Sequence, residues 1–147
     1  MTDAPPADVL LVEDNPGDVR LTREALEDSR PELRLHVVND GVEALEYLAG
    51  EGEHAGAPTP DIVLLDLNLP RKSGEEVLEA IRDDAALPTP PVVVLTGSDA
   101  AEDVARSYEL SANAYLTKPV APDEFIETIR QFESFWLSAA QLPPEEV

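Results

Sequence analysis

Five polar residues stand at the ends of apolar runs in this sequence. Glu13 and Asp14 end "DVLLVED", Asp66 interrupts "DIVLLDLNLP", Thr96 follows "PVVVL", and Lys118 follows "NAYLT". An unpaired carboxylate near a protein core is unfavourable, so Asp66 needs a partner. Three clustered carboxylates would repel one another and create a demand for a hard divalent cation, to which Mg2+ is suited. The residue types therefore predict a metal-dependent site.

The same residues are suited to phosphoryl transfer. A cation-bound Asp66 carboxylate is a competent nucleophile toward phosphorus, and aspartyl phosphate is a recognised covalent intermediate. Lys118 supplies a mobile positive charge and Thr96 a hydroxyl, both of which suit the equatorial phosphoryl oxygens. Each residue alone has an ordinary structural interpretation: Glu13 and Asp14 could cap a helix, Thr96 could satisfy a backbone group, and Lys118 could extend into solvent. The combination of all five favours the chemistry.

A scaffold that brings these residues together is also predicted. Short aliphatic runs alternate with amphipathic stretches of helical length, a βαβ pattern repeated along the chain. The strands are continuously apolar, as in a parallel sheet covered by helices on both faces, so we predict a doubly wound, five-stranded α/β domain. Active groups in such sheets collect beyond the carboxyl ends of the strands. All five polar residues fall on that edge.

Three of the predicted helices carry an apolar face that should pack on the sheet. Asn15 is predicted to cap the first helix, and Gly50 to end the second. The residues predicted to form the apolar faces are Val42, Leu45 and Leu48; Val77, Leu78 and Ile81; and Phe125, Ile129 and Phe132.

Composition narrows the classes of function. The chain has 147 residues, and we predict a single domain over 1–147 with a core at about 7–135 and a frayed tail. Because there are no cysteines, disulfides and thiolate metal sites are excluded. The balance of 31 acidic and 10 basic residues, a net charge of −21, argues against binding nucleic acid. The start lacks a secretory signal and no apolar run approaches the roughly 18 residues of a membrane span, which predicts a cytoplasmic protein without a membrane partner.

The acidic balance also suggests a habitat. Lys72 and Lys118 are the only lysines, and this lysine-poor, acid-rich composition is similar to that of cytoplasmic proteins from extreme halophiles, where salt screens self-repulsion. A circular dichroism series in KCl tests this hypothesis, and a fold indifferent to salt would contradict it.

Four segments together resemble the receiver domain of two-component response regulators. They are "VEDNPGD", "LLDLNLPRKSG", "VVVLTG" and "YLTKPV", and the resemblance runs from about residue 7 to 135. It implies a flavodoxin-like fold with strand order 2-1-3-4-5. It also implies that Asp66 accepts a phosphoryl group from a sensor histidine kinase or a phosphotransfer protein, and that the chain catalyses only its own phosphorylation and dephosphorylation.

The resemblance implies roles for further residues. Glu13, Asp14 and Asp66 would hold Mg2+ together with the backbone carbonyl of Asn68, whose side chain would influence hydrolysis. Thr96 and Lys118 would contact the phosphoryl group. Tyr115 would move inward with Thr96 as the domain switches; its ordinary interpretation is a half-buried strand tyrosine.

Phe135 and Trp136 extend the last helix beyond what a minimal receiver needs. They either cap the domain's own core or form a surface for a homodimer or another partner. The longer helix and "EDNPGD" resemble stand-alone regulators that partner phytochrome-like histidine kinases. Nothing after residue 140 is large enough for an output domain, so the resemblance implies action through a downstream protein partner.

Three other functions fit parts of the pattern. A phosphohydrolase with an Asp nucleophile typically needs a second Asp two residues later, where this chain has Asn68. A nucleotide or flavin binder would need a phosphate-binding loop after the first strand, which is lacking. A phosphate-independent pseudo-receiver is disfavoured by the full set of acidic residues.

Overall fold

The computed structural model describes residues 7–27, 33–97 and 100–139. Strands and helices alternate along these residues. The strands are β1 (Ala7–Val12), β2 (Leu33–Val38), β3 (Ile62–Leu65), β4 (Val92–Thr96) and β5 (Ala114–Thr117). The helices are α1 (Pro16–Leu26), α2 (Gly41–Ala49), α3 (Gly74–Asp83), α4 (Ala101–Glu109) and α5 (Pro122–Phe132), which continues as a π-helical segment over Glu133–Ala139; a short 3-10 turn covers Gly52–His54.

The strands form one parallel sheet in the order β2-β1-β3-β4-β5, which confirms the predicted fold class. The register places the carboxyl ends of β1 and β3 side by side, because Val12 pairs with Leu65. On the other side of β3, Leu65 pairs with Val94, and Thr96 at the end of β4 pairs with Thr117. The residues that come after each strand therefore share one edge of the sheet.

Side chains alternate between two buried faces of this sheet, which explains the continuous hydrophobicity of its strands. One face includes Leu10, Val63 and Val94, and the other includes Leu11, Leu64 and Val93. Helices cover both faces, so every apolar position of β3 is buried. The predicted apolar faces of α3 and α5 are confirmed, because these residues are buried: Val77, Leu78 and Ile81 of α3, and Phe125, Ile129 and Phe132 of α5.

The apolar face of α2 differs from the prediction. Ala44, Tyr47 and Leu48 are buried, whereas Val42 and Leu45 are only half-buried. The helix is rotated because Tyr47 turns inward and its hydroxyl donates to the carbonyl of Pro58 at 3.2 Å. Gly50 ends the helix in a left-handed conformation with φ of 67°, as its sequence position predicts.

The two aromatic residues beyond α5 have different surroundings. Trp136 is half-buried and packs against the core face formed by α1 and α5. Phe135 is 57% exposed, and its ring meets that of Trp136 edge to face at 5.3 Å between centroids. Trp136 therefore contributes to the domain's own core, while Phe135 lies at the surface.

Helix α4 has weak local support. Ala100 precedes it and has no side-chain oxygen to cap its first turn, in contrast to Asn15, Asp40 and Ser73, which cap α1, α2 and α3. Ser107 is buried in α4. Its hydroxyl has no hydrogen-bond partner, and it is the one buried side-chain polar atom of which this is true among the described residues. An unpaired hydroxyl in a core lowers stability.

Replacement of Ser107 with alanine is expected to stabilise the protein by about 1 kcal/mol, because it removes this unpaired group and adds a better helix former. Urea unfolding measures the change. Thr22→Val is the matched control, since the buried Thr22 hydroxyl donates to the Asp18 carbonyl at 2.8 Å and its loss should destabilise. A less stable Ser107→Ala protein would contradict the prediction.

None of the helices in the described parts of the chain is long and apolar enough to cross a membrane.

Candidate functional site

Backbone hydrogen bonds beyond the strand ends hold the predicted site residues at the sheet edge. The N–H of Glu13 donates to the Val38 carbonyl at 3.0 Å, and that of Asp66 donates to the Val12 carbonyl at 3.1 Å. Lys118 is held in the same way, since its N–H donates to the Thr96 carbonyl at 2.7 Å. The hydrogen-bonding pattern of the sheet thus continues for one residue past these strands, and it fixes the backbone positions of Glu13, Asp66 and Lys118.

The three predicted acidic residues meet at this edge. Glu13, Asp14 and Asp66 each offer a carboxylate oxygen, and these oxygens lie within 4.8 Å of one another. Glu13 and Asp66 are 2% and 6% exposed, whereas Asp14 lies at the surface. Hard oxygen ligands from two buried carboxylates and one exposed carboxylate match what a divalent cation such as Mg2+ requires. The donor set therefore fits the metal that the sequence predicts.

The Lys118 ammonium reaches into this acidic cluster. Its Nζ lies 2.7 Å from Glu13 Oε1, 2.8 Å from Asp66 Oδ2 and 2.8 Å from Asp18 Oδ2. Burial alone would lower the pKa of Lys118, but the hydrogen bonds to these three carboxylates outweigh burial and raise it. The ammonium is therefore fixed in its charged form beside Asp66.

For Glu13 the effect of burial on the pKa outweighs that of the hydrogen bond from Lys118. Burial raises the pKa of Glu13 to about 7, and the nearby Asp66 charge contributes to the rise, although Lys118 acts in the other direction. A carboxyl group with a raised pKa binds a proton more tightly in the folded chain than in the unfolded chain. Without metal, its ionisation should therefore destabilise the fold as the pH rises from about 5 to about 7.

This gives a pH-dependence prediction for the metal-free protein. Relative to a Glu13→Gln variant, the native chain is expected to lose up to about 3 kcal/mol of unfolding free energy between about pH 5 and pH 8. The two proteins differ because the glutamate at position 13 can ionise and the glutamine cannot. Urea unfolding of both proteins at fixed ionic strength measures the difference. Parallel pH profiles of the two proteins would contradict the raised pKa.

Asn68 connects the acidic cluster to Thr96. Its backbone N–H donates to Asp66 Oδ1 at 3.0 Å, and its side-chain amide donates to Thr96 Oγ1 at 3.4 Å. Thr96 is fully buried at the end of β4. Tyr115 is half-buried in β5, pairs in register with Val94 and packs against the core.

Two features of this region were missed in the sequence. Asp18, in the first turn of α1, is a third partner of Lys118. It could have been found from the Asn15 cap, which fixes the start of α1 beside the end of β1. The second feature is an ion pair at 3.1 Å between Arg71 in the loop after β3 and Asp40 at the start of α2, and no local pattern predicts it.

Arg71 has a left-handed backbone, with φ of 66°. This conformation is unfavourable for a residue with a side chain, so contacts must hold it. The Arg71 guanidinium beside Asp40 supplies such contacts. Burial alone would raise the pKa of the Asp40 carboxyl, but the hydrogen bonds from the Glu43 N–H and from Arg71 hold it below its usual range. The loop that carries Asn68 is thereby attached to α2.

Known proteins share this arrangement of elements. A family model described as the response regulator receiver domain matches residues 9–130. The chain belongs to the response regulator receiver family. Response regulator Rcp1 of Synechocystis sp. is 44% identical to this receiver over 139 residues, which are 95% of this chain and 95% of that relative. Receiver domains are generally non-enzymatic signalling modules.

Two solved structures have the same fold as this receiver. The phosphorylated cyanobacterial phytochrome response regulator RcpA is 45% identical, with a TM-score of 0.91 over 95% of this chain and 100% of that chain. The Mn2+-bound form of response regulator Rcp1 is 43% identical, with a TM-score of 0.90 over 95% of this chain and 100% of that chain. Likeness of this extent over nearly the whole receiver confirms the resemblance inferred from its sequence.

Proposed function

We propose that this receiver accepts a phosphoryl group on Asp66 from a sensor histidine kinase or a phosphotransfer protein. The observation that carries the proposal is the position of the Asp66 carboxylate. It shares an oxygen cluster within 4.8 Å with Glu13 and Asp14, and its Oδ2 lies 2.8 Å from the Lys118 ammonium. A nucleophile between a cation-binding cluster and a fixed positive charge suits attack on an anionic phosphoryl donor.

Mg2+ is the proposed cofactor. The carboxylates of Glu13, Asp14 and Asp66 and the backbone carbonyl of Asn68 would hold it, and when bound it supplies positive charge to the phosphoryl oxygens. The existence of an Mn2+-bound form of Rcp1 supports a divalent cation as a ligand of this receiver.

In the proposed step, an Asp66 oxygen forms a bond to phosphorus while the bond between phosphorus and the donor's histidine nitrogen breaks. The nitrogen keeps the electron pair of the broken bond, and Asp66 becomes an acyl phosphate. Lys118 and the Thr96 hydroxyl then contact the new phosphoryl oxygens. The acyl phosphate is lost in a separate step, in which water attacks phosphorus, the bond between phosphorus and the Asp66 oxygen breaks, and inorganic phosphate leaves; the Asn68 amide can orient this water molecule but cannot deprotonate it.

Phosphorylation is proposed to act by a population shift. Thr96 would leave the Asn68 amide for the phosphoryl group, and Tyr115 would change its packing in the space that Thr96 vacates. The output would be a protein partner or a second copy of the chain bound at a surface that includes the exposed Phe135 and the accessible part of Trp136, whose remainder packs on the core. The likeness to RcpA, a phytochrome response regulator, supports a phytochrome-type kinase as the phosphodonor.

The test is to incubate the protein with Mg2+ and acetyl phosphate and to record its intact mass. The native chain and an Asp123→Asn control, which alters an exposed aspartate of α5, should each gain one phosphoryl group. Asp66→Asn should gain none. Beryllofluoride with Mg2+ should change the tyrosine fluorescence of the native chain but not of Asp66→Asn.

Two other outcomes would identify the alternatives. Turnover of many phosphates per chain without a stable adduct at Asp66 would indicate a phosphohydrolase. No response to acetyl phosphate or to beryllofluoride would indicate a phosphate-independent interaction module.

A further inference from the structure

Asp18 occupies a distinct position among the partners of Lys118. The Lys118 ammonium contacts three carboxylates at nearly equal distances, 2.7 Å to Glu13 and 2.8 Å to each of Asp66 and Asp18. Glu13 and Asp66 belong to the oxygen cluster that fits a divalent cation, and Asp18 does not. Asp18 is therefore the partner that a cation in the cluster would leave available to Lys118.

The local structure of α1 explains why the Asp18 carboxylate points to Lys118. A Glu or Gln side chain three residues after the N-cap often bends back to the backbone N–H of the N-cap residue. Here that N–H, on Asn15, donates instead to Glu13 Oε2 at 3.1 Å. The Asn15 side chain in turn accepts from the N–H of Gly17 at 2.8 Å and of Asp18 at 3.2 Å. The backbone N–H that a side chain at this position of the helix would bind is thus already occupied.

We infer that Asp18 is a positioning residue that retains the Lys118 ammonium when a divalent cation occupies the acidic cluster. The inference rests on the metal site of the proposed function. A cation and an ammonium that share the carboxylates of Glu13 and Asp66 repel each other, because like charges repel. We therefore expect Lys118 to loosen its contacts with these two carboxylates when a cation occupies the cluster.

The Asp18 carboxylate gives the withdrawing ammonium a partner inside the site. Its side chain is 23% exposed and that of Lys118 is 12% exposed, so their pair is partly shielded from solvent. With Asp18 present, an ammonium that loosens its contacts with Glu13 and Asp66 would keep its contact with Asp18 and stay near Asp66. With a neutral residue at position 18, Lys118 stays with Glu13 and Asp66 and competes with the cation.

The first measurement is the affinity for Mg2+ by calorimetry, in a double-mutant cycle of Asp18→Asn and Lys118→Met. Asp18→Asn should weaken Mg2+ binding about tenfold in the native background, as expected for loss of one charge-assisted hydrogen bond. In the Lys118→Met background, the same change should weaken binding by less than about twofold, because no ammonium competes. An equal loss in both backgrounds, or no loss in the native background, would overturn the inference.

The second measurement observes Lys118 directly and needs no variant of Asp18 to fold. The chain has two lysines, so nitrogen-15 labelling of lysine side chains gives two ammonium signals, which Lys72→Arg assigns. On addition of Mg2+ to the native protein, the Lys118 ammonium signal should shift and stay protected from exchange with water. Loss of that protection in the native protein would show that Asp18 does not retain the ammonium, and would overturn the inference.

These results separate the inference from the proposed function. If the native chain binds no Mg2+, the proposed metal site fails and the inference fails with it. If the native chain binds Mg2+ but the cycle shows no coupling between Asp18 and Lys118, only the inference fails. Far-ultraviolet circular dichroism of each variant checks that a weaker affinity does not come from unfolding.

Discussion

Gly74→Ala is expected to destabilise the fold by roughly 3 kcal/mol and to weaken Mg2+ binding as well. A Cβ atom at position 74 would lie 2.3 Å from the carbonyl oxygen of Asp66 and 2.7 Å from the Cα atom of Leu67. Both contacts are with backbone, so no side-chain rotation can relieve them. The first residue of α3 or the segment after β3 must move, and that segment carries Asp66, the proposed phosphoacceptor.

Gly97→Ala is the matched control, because a Cβ atom at position 97 would meet nothing within 4 Å. It lies directly after Thr96 and should change stability by less than about 1 kcal/mol. Urea unfolding and calorimetric titration with Mg2+ measure both variants. A Gly74→Ala protein as stable as Gly97→Ala would show that the contact between α3 and the Asp66 carbonyl is easily relaxed.

Lys118→Met is the second substitution with a large expected effect. It removes the ammonium that lies between Glu13, Asp18 and Asp66, and it leaves two nearly buried carboxylates facing each other. Breaking a buried ion pair by removing one partner is strongly unfavourable, so we expect a loss of roughly 3 kcal/mol at about pH 8 in the absence of metal. The loss should shrink at about pH 5, where Glu13 takes up a proton.

Lys72→Met provides the control, since it removes the other lysine of the chain from a half-buried loop position outside the acidic cluster. Addition of Mg2+ should restore much of the stability of Lys118→Met but change Lys72→Met no more than the native chain, because the cation can replace the lost positive charge. Thermal unfolding with and without Mg2+ measures this difference. Equal Mg2+ responses in both variants would contradict the assigned role of Lys118.

The sequence alone was enough to predict where the strands end and which polar residues stand at those ends. Strand ends could be predicted because continuous apolar runs stop abruptly at Glu13, Asp66, Thr96 and Lys118, and because parallel strands bring their carboxyl ends to one edge. The caps at Asn15 and Gly50 were predictable for a similar reason, since they depend on neighbouring residues only.

Contacts between distant residues could not be predicted in this way. The bond between Asn68 and Thr96 and the approach of α3 to the Asp66 carbonyl depend on the packing of separate elements. The rotation of α2 depends on Tyr47 reaching Pro58, eleven positions later in the chain. Residue pattern indicates which faces are apolar, but the exact orientation of a helix is decided by its tertiary partners.

The local weakness of α4 has a consequence for the dynamics of the domain. A helix without a side-chain cap and with an unpaired buried hydroxyl requires little free energy to open, so its amides should exchange with solvent before those of α1, α2 and α3. Helix α4 follows Thr96 in the chain, but it is not part of the sheet. We therefore expect α4 to open locally while the edge that holds Asp66 stays ordered.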